Sequence, residues 1–186
     1  MKKKVLSEID LHHGDVSMPK GFEIDRDNIK SGILYNAFIA TDKRVSKNPK
    51  DYSYNDYFVD HSPPLGYLQT YLREFFALRN ENKNLINKGN FANVLFPGNS
   101  TLMRRSMDPL NLHDSPDYTC MYGVDIQPDS CTVVIEFDEN RRANRSWHIP
   151  LESNKFIMFP STQRYFVTPN TSQGLNTILT MWYDWM

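Results

Sequence analysis

Residues 155–185, KFIMFPSTQRYFVTPNTSQGLNTILTMWYDW, decide the fold. Three apolar runs, KFIMF, YFV and NTILTMWYDW, are separated by Pro160-Ser161 and by the turn residues from Pro169 to Gly174. Short runs bounded by Pro, Gly, Ser and Asn read as strands. In the last run Ile178, Thr180 and Trp182 alternate with Leu179, Met181 and Tyr183. Both of its faces are largely apolar, which places it inside a sandwich rather than on a surface.

The same texture extends upstream. TCMYGVDI (119–126) and CTVVIEF (131–137) flank Gln127-Pro128-Asp129-Ser130, which predicts a hairpin. A polar break from Asp138 to Ser146 precedes WHIPL (147–151), where alternation sends His148 to the surface or to a hydrogen bond, away from Trp147, Ile149 and Leu151. Strands recurring every 8–12 residues or so argue for a sandwich or barrel over a parallel sheet with crossover helices. Before them, Leu65, Leu68, Leu72, Phe75 and Leu78 recur at helical spacing, with Ser62 as cap and Pro63-Pro64 in the first turn. The spacing predicts a helix over about 64–81. GILYNAFIA (32–40) reads as a strand, and NPKDYSYNDYFVDHSPP (48–64) as a polar loop whose tyrosines between 52 and 57 mark a contact surface. The expected architecture is mainly β, one domain over 1–186. It has an N-terminal extension and sheet edge (1–62), a prominent outer helix region (63–90) and a jelly-roll core (91–186).

With 21 basic against 22 acidic side chains, no global field draws in nucleic acid or an anionic membrane. No apolar run is long enough to span a bilayer. Ser7, Glu8 and Asp10 interrupt the apolar stretch a secretory leader needs. The expectation is a soluble, cytoplasmic protein. Cys120 and Cys131 fall on the two arms of the predicted hairpin without facing each other, so no disulfide is expected, and two free thiols suit a reducing compartment.

The frame Phe159-Pro160-Ser161, then Tyr165, then Val167-Thr168-Pro169 and a final strand resembles the end of the iron(II)- and 2-oxoglutarate-dependent oxygenases, in particular short oxygenase-like proteins of marine phages. That resemblance covers residues 90–186 and implies a double-stranded β-helix, with an infected host cell as one setting. In the family a His-x-Asp supplies two iron ligands, a second histidine supplies the third, and an arginine on the last strand holds the co-substrate. Here the His-x-Asp frame, within RRSMDPLNLHDSPDY, falls on Ser106-Met107-Asp108. The second histidine falls on Tyr165, 57 positions beyond Asp108 (165 − 108), and the arginine falls near Asn176.

These departures bear on chemistry. A facial triad of two imidazoles and a carboxylate holds non-haem iron. A serine hydroxyl is a poor substitute, and a phenol with the ordinary pKa of about 10 is protonated at neutral pH. A buried dicarboxylate wants a guanidinium, whereas Asn176 has no charge and Arg164 alternates away from Tyr165. No cofactor is therefore expected; the alternative, Fe(II) with 2-oxoglutarate, would need Asp108 joined by His113. The bland reading of His113-Asp114-Ser115 is a turn. His12, His13 and Asp15 also resemble ligands, but adjacent histidines on an extended chain point to opposite faces. Arg141, Arg142 and Arg145 read as a solvated turn, while Arg104 and Arg105 stand where a carboxylate or phosphate would be bound without iron.

Three functions follow from these residues. The first is a non-catalytic jelly roll whose mouth, lined by Arg104, Ser106, Asp108, Tyr165 and Asn176, binds a small polar ligand or a protein partner. The second is a hydroxylase with atypical ligands. The third is a phage structural or assembly protein, with homo-oligomers among its forms.

Overall fold

Ile29, Ile33 and Ala37 recur at a four-residue spacing and are all buried. They are the inner face of a helix, α1 (Arg26–Lys43), where the sequence suggested a strand. A short apolar run does not distinguish strand from helix by itself. The distinguishing signal is the start: Asp25 Oδ1 accepts the backbone N–H of Asn28 at 2.9 Å, a helix N-cap. Replacing Asp25 by alanine should lower stability by about 1 kcal/mol, read as a shift in urea midpoint.

The computed structural model describes residues 9–43, 57–79, 84–140 and 143–186. Tyr52, Tyr54, Arg141 and Arg142 lie outside the described residues. The second helix, α2 (Pro63–Arg79), lies where the periodicity placed it, with Leu65, Leu68, Leu72 and Phe76 buried. The strands are β1 (His12–Asp15), β2 (Tyr57–Phe58), β3 (Leu85–Leu95), β4 (Arg104–Arg105), β5 (Tyr118–Asp125), β6 (Thr132–Asn140), β7 (Ala143–Pro150), β8 (Lys155–Pro160), β9 (Arg164–Val167) and β10 (Asn176–Trp185). They form a six-stranded sheet, β1-β8-β5-β10-β3-β2, and a four-stranded sheet, β4-β9-β6-β7. Every pairing is antiparallel.

Three sequence expectations are corrected. TCMYGVDI and CTVVIEF are not one hairpin: β5 belongs to the larger sheet and β6 to the smaller, so the turn at 127–130 carries the chain across the sandwich. The hairpin partner of β6 is β7, and the polar break at 138–146 is mostly strand. Polar residues are tolerated there because β7 is a sheet edge, where one side meets water. β3 pairs with β10 from Leu85 onward. Segments before residue 63 supply both edges of the larger sheet, and Tyr57 is buried there instead of offering a contact surface.

Strand alternation divides the core in two. Leu179, Met181 and Tyr183 of β10 face the helices, together with Cys120, Tyr122 and Phe156. Ile178 faces between the sheets with Met121, Ile135, Ile157, Phe159, Tyr165 and Val167. The two cysteines fall in different halves and both are free. Burial raises the pKa of each thiol, which makes both poor nucleophiles. Among the described residues no helix is long and apolar enough to cross a membrane.

His12 marks the seam between edge strand β1 and α2. Its ring lies edge-on to Phe75 and Phe76, and its Nε2 is buried without a hydrogen-bond partner. Burial lowers its pKa; Arg79 adds to the depression and Asp10 opposes it. The unfolded chain takes up this proton near the ordinary histidine value of about 6.5, and the folded chain only at lower pH. The stabilisation is thus complete above that value and is lost as pH falls below it. The urea midpoint should drop between about pH 7 and pH 5, and less so in His12→Phe.

Candidate functional site at the barrel mouth

The register of the smaller sheet places four side chains in one row across its inner face. Arg104 of β4 pairs with Tyr165 of β9, Tyr165 with Ile135 of β6, and Ile135 with Trp147 of β7. Tyr165 is fully buried, with its ring edge-on to Phe159 at 5.1 Å. The Arg104 guanidinium lies 5.3 Å from the centre of the same ring, and its Nη2 donates to Asn93 Oδ1 at 3.2 Å. Arg104 therefore joins the smaller sheet to β3 of the larger. Immediately after β4, Ser106 Oγ and Tyr165 Oη form a hydrogen bond of 3.1 Å.

Asp108 follows in an open cleft of about 690 Å³ whose lining includes Arg104, Arg105, Ser106 and Arg164. Its Oδ1 accepts the Leu110 N–H at 2.9 Å, and its own N–H donates to Ser115 Oγ at 2.8 Å. Ser115 Oγ in turn donates to the Asn111 carbonyl. Residues 108–115 are thus a self-bonded turn, with His113 and Asp114 exposed on it and Asn111 Nδ2 donating to Asp114 Oδ2. Arg164 points away from Tyr165 and pairs with Glu136 at 3.1 Å.

Asn176 does not join this group. It is buried at the opposite end of the barrel, where its Nδ2 donates to Ser130 Oγ at 2.8 Å and to Cys131 Sγ, and its Oδ1 accepts the Gln127 N–H. Cys131 precedes Ile135 by four residues (135 − 131), and Ile135 is the partner of Tyr165, so about 13 Å of strand separates the two levels. The amide fastens the crossing between the sheets. His148 is exposed and meets Ser146 Oγ through Nε2 at 3.1 Å. Trp147 is 44 % exposed although it shares a face with Ile149, because its row ends at the open rim. Sequence reasoning did not single out Asn93 or Trp147; the signal for Asn93 was a lone amide on the Phe91, Asn93, Leu95 alternation.

Two stacked antiparallel sheets wound as a jelly roll, with helices on the outer face of the larger, also describe solved enzymes. The structure is similar to a 2OG-Fe(II) oxygenase family oxidoreductase from Burkholderia pseudomallei (TM-score 0.53, 12% identity, 68% of this chain and 60% of that one). It is similar to the α-ketoglutarate-dependent carbocyclase SnoK of nogalamycin biosynthesis (TM-score 0.65, 11% identity, 95% and 79%). It is also similar to a viral collagen prolyl hydroxylase from Paramecium Bursaria Chlorella virus-1 (TM-score 0.59, 13% identity, 93% and 94%). The fold is that of the iron(II)- and 2-oxoglutarate-dependent oxygenases. This chain spans 60% of the length of the Burkholderia protein. No family model and no curated protein matches the sequence.

The oxygenase fold implies iron, but the donors at this mouth do not fit it. At the positions where the sequence frame would set two imidazoles, the hydroxyls of Ser106 and Tyr165 bond to each other, and the Asp108 carboxylate accepts a backbone N–H of its own turn. Among the described residues no three His, Cys, Asp or Glu side chains come close enough together to hold a metal ion. Asn176, near which the sequence frame sets the co-substrate arginine, supplies no charge, and its amide is already bonded on both sides.

Proposed function

We propose that this chain is a non-catalytic protein of the oxygenase fold whose barrel mouth binds a small polar ligand. One observation supports the reading: Ser106 and Tyr165, which the sequence frame sets at the two imidazole positions, have their hydroxyls bonded to each other. A neutral pair that satisfies itself has little to offer a divalent cation, since iron of this class wants imidazole and carboxylate donors. What remains at the mouth is recognition chemistry: a guanidinium, hydroxyls and an open cleft within the size range of small-molecule sites.

Anaerobic titration with Fe(II) and 2-oxoglutarate tests this. The visible spectrum should stay featureless at all additions, whereas a saturable charge-transfer band would overturn the reading in favour of a hydroxylase with atypical ligands.

A further inference from the structure

Another recess lies on the outer face of the larger sheet, between α2 and the strands β3 and β10. It has a volume of about 230 Å³, and His61, Gln69, Arg73, Asn87 and Tyr183 are among the residues that line it. Tyr183 belongs to the helix-side core and Tyr165 to the core between the sheets, so the thickness of a sheet separates this recess from the mouth. Helix α2 supplies one wall as a stripe, with Gly66, Gln69, Thr70 and Arg73 at intervals of three and four residues.

Gly66 decides how close His61 can come. A Cβ there would stand 3.2 Å from the imidazole Cε1 and 3.5 Å from its Nε2, so the ring lies directly against the helix. The two amides on the walls are already committed. Gln69 Nε2 donates to Asn90 Oδ1 at 3.0 Å, which ties α2 to β3, and Asn87 Nδ2 donates to the Trp182 carbonyl at 3.3 Å.

Three groups are left facing the space. Tyr183 closes the floor: it is 1 % exposed, and among the described residues its hydroxyl has one partner, Met181 Sδ at 3.4 Å. A thioether is a weak acceptor. Burial holds the Tyr183 pKa well above the ordinary value; Cys120 raises it further and Arg73 works against the rise, so the phenol keeps its proton. Arg73 is exposed at the rim, and among the described residues it pairs with no carboxylate. His61 stands beside it on the same lining.

The chemistry of these three has one sign. A guanidinium is a donor only, an imidazole carries an N–H in either protonation state, and a phenol short of a good acceptor donates. No acid lines the recess to balance Arg73. Sites for drug-sized molecules run to about 300–1,000 Å³, so the volume suits a single small group.

We infer that this recess binds a small oxyanion, a phosphate or carboxylate group, between the Arg73 guanidinium, the His61 imidazole and the Tyr183 hydroxyl. The mouth takes no part in it, so the inference and the non-catalytic reading stand or fall separately.

The chain has five histidines, and the Cε1–H resonance of His61, assigned with His61→Gln, reports the site. His148, exposed on the edge of the smaller sheet, is the internal reference. Inorganic phosphate and acetate would each be titrated at constant pH, with acetamide as the neutral arm and sodium chloride at matched ionic strength. The expected result is a saturable shift of His61 with phosphate, acetate or both, and no matching shift of His148. The anion that binds tighter identifies the source of the oxygens. Arg73→Gln changes an exposed residue and should weaken binding about tenfold or more. Tyr183→Phe keeps the buried ring and should weaken it severalfold; near-ultraviolet circular dichroism checks both folds. If the Tyr183 hydroxyl only packs, affinity stays as it was. Unchanged affinity in either folded variant, a shift reproduced by chloride, acetamide binding as tightly as acetate, or no saturation with either anion would each overturn the inference.

Discussion

The double variant Ser106→His, Tyr165→His should bind Co(II) or Fe(II) at least about a thousandfold more tightly than the natural chain, since even an outer-sphere partner is worth 10–100-fold and two direct ligands exceed that. Two donors on one metal at 2.0–2.1 Å each, at angles between a right angle and the tetrahedral value, stand about 2.9–3.4 Å apart. The two hydroxyl oxygens are 3.1 Å apart, so the side chains at these positions point toward one another. Asp108 is two residues from Ser106 and would have to exchange the Leu110 N–H for the metal. Each single variant should gain far less, because one imidazole and one competing turn do not make a chelate. There is a cost: Tyr165 is fully buried against Phe159, and an imidazole there should lower stability by about 2–3 kcal/mol. Co(II) absorption, with near-ultraviolet circular dichroism to check the fold, reads both effects. A folded double variant without metal affinity would show that positions 106 and 165 do not present their side chains to a shared point.

That the sequence placed Ser106 and Tyr165 at equivalent positions, and that the fold joins them, shows what strand periodicity conveys. The frame from Phe159 to Pro169 fixes where β9 starts, and alternation then fixes which side chains face inward. Arg164 pointing away and Tyr165 pointing in follow from the same rule. Alternation does not report which sheet a strand joins. For that reason β5 and β6 look like a hairpin along the chain and separate in space, and Asn176 looks like a mouth residue and lies at the other end. The helical period of Ile29, Ile33 and Ala37 was visible in principle, but apolar Leu34 beside them blurred it into a continuous run. Asn93 and Trp147 were hidden for a further reason. The place of Asn93 depends on the pairing of β3 with β10, and that of Trp147 on the pairing of β6 with β9 that sets Tyr165 in its row, strands distant in sequence that no local pattern joins.

The closed end of the barrel sets the other large effect, because Gly123→Ala should cost about 3 kcal/mol or more, whereas Gly32→Ala should gain about 0.5–1 kcal/mol. A Cβ at Gly123 would stand 2.0 Å from the carbonyl oxygen of Glu152 and 2.9 Å from its carbonyl carbon. Both are backbone atoms, so no rotamer change relieves the clash. The segment they belong to is held in place: Asn154 N–H donates to the Gly123 carbonyl at 2.7 Å, and Ser153 Oγ accepts the Ile126 N–H at 2.8 Å. Asn154 further accepts from the Tyr122 hydroxyl and donates to the Val16 carbonyl, which links the crossing from β7 to β8 with the exit of β1. A methyl group must therefore displace a strap that two separate segments hold, β5 with its exit and the exit of β1, and the loss would spread to the edge strand. Gly32 is the converse case, since it lies exposed in α1 with nothing within 4 Å of its Cβ, and alanine there only reduces the entropy lost on helix formation. Urea midpoints measured side by side on the two variants would read the contrast. A Gly123→Ala protein within about 1 kcal/mol of the natural chain would mean that residues 151–154 do not cross the barrel end at this distance.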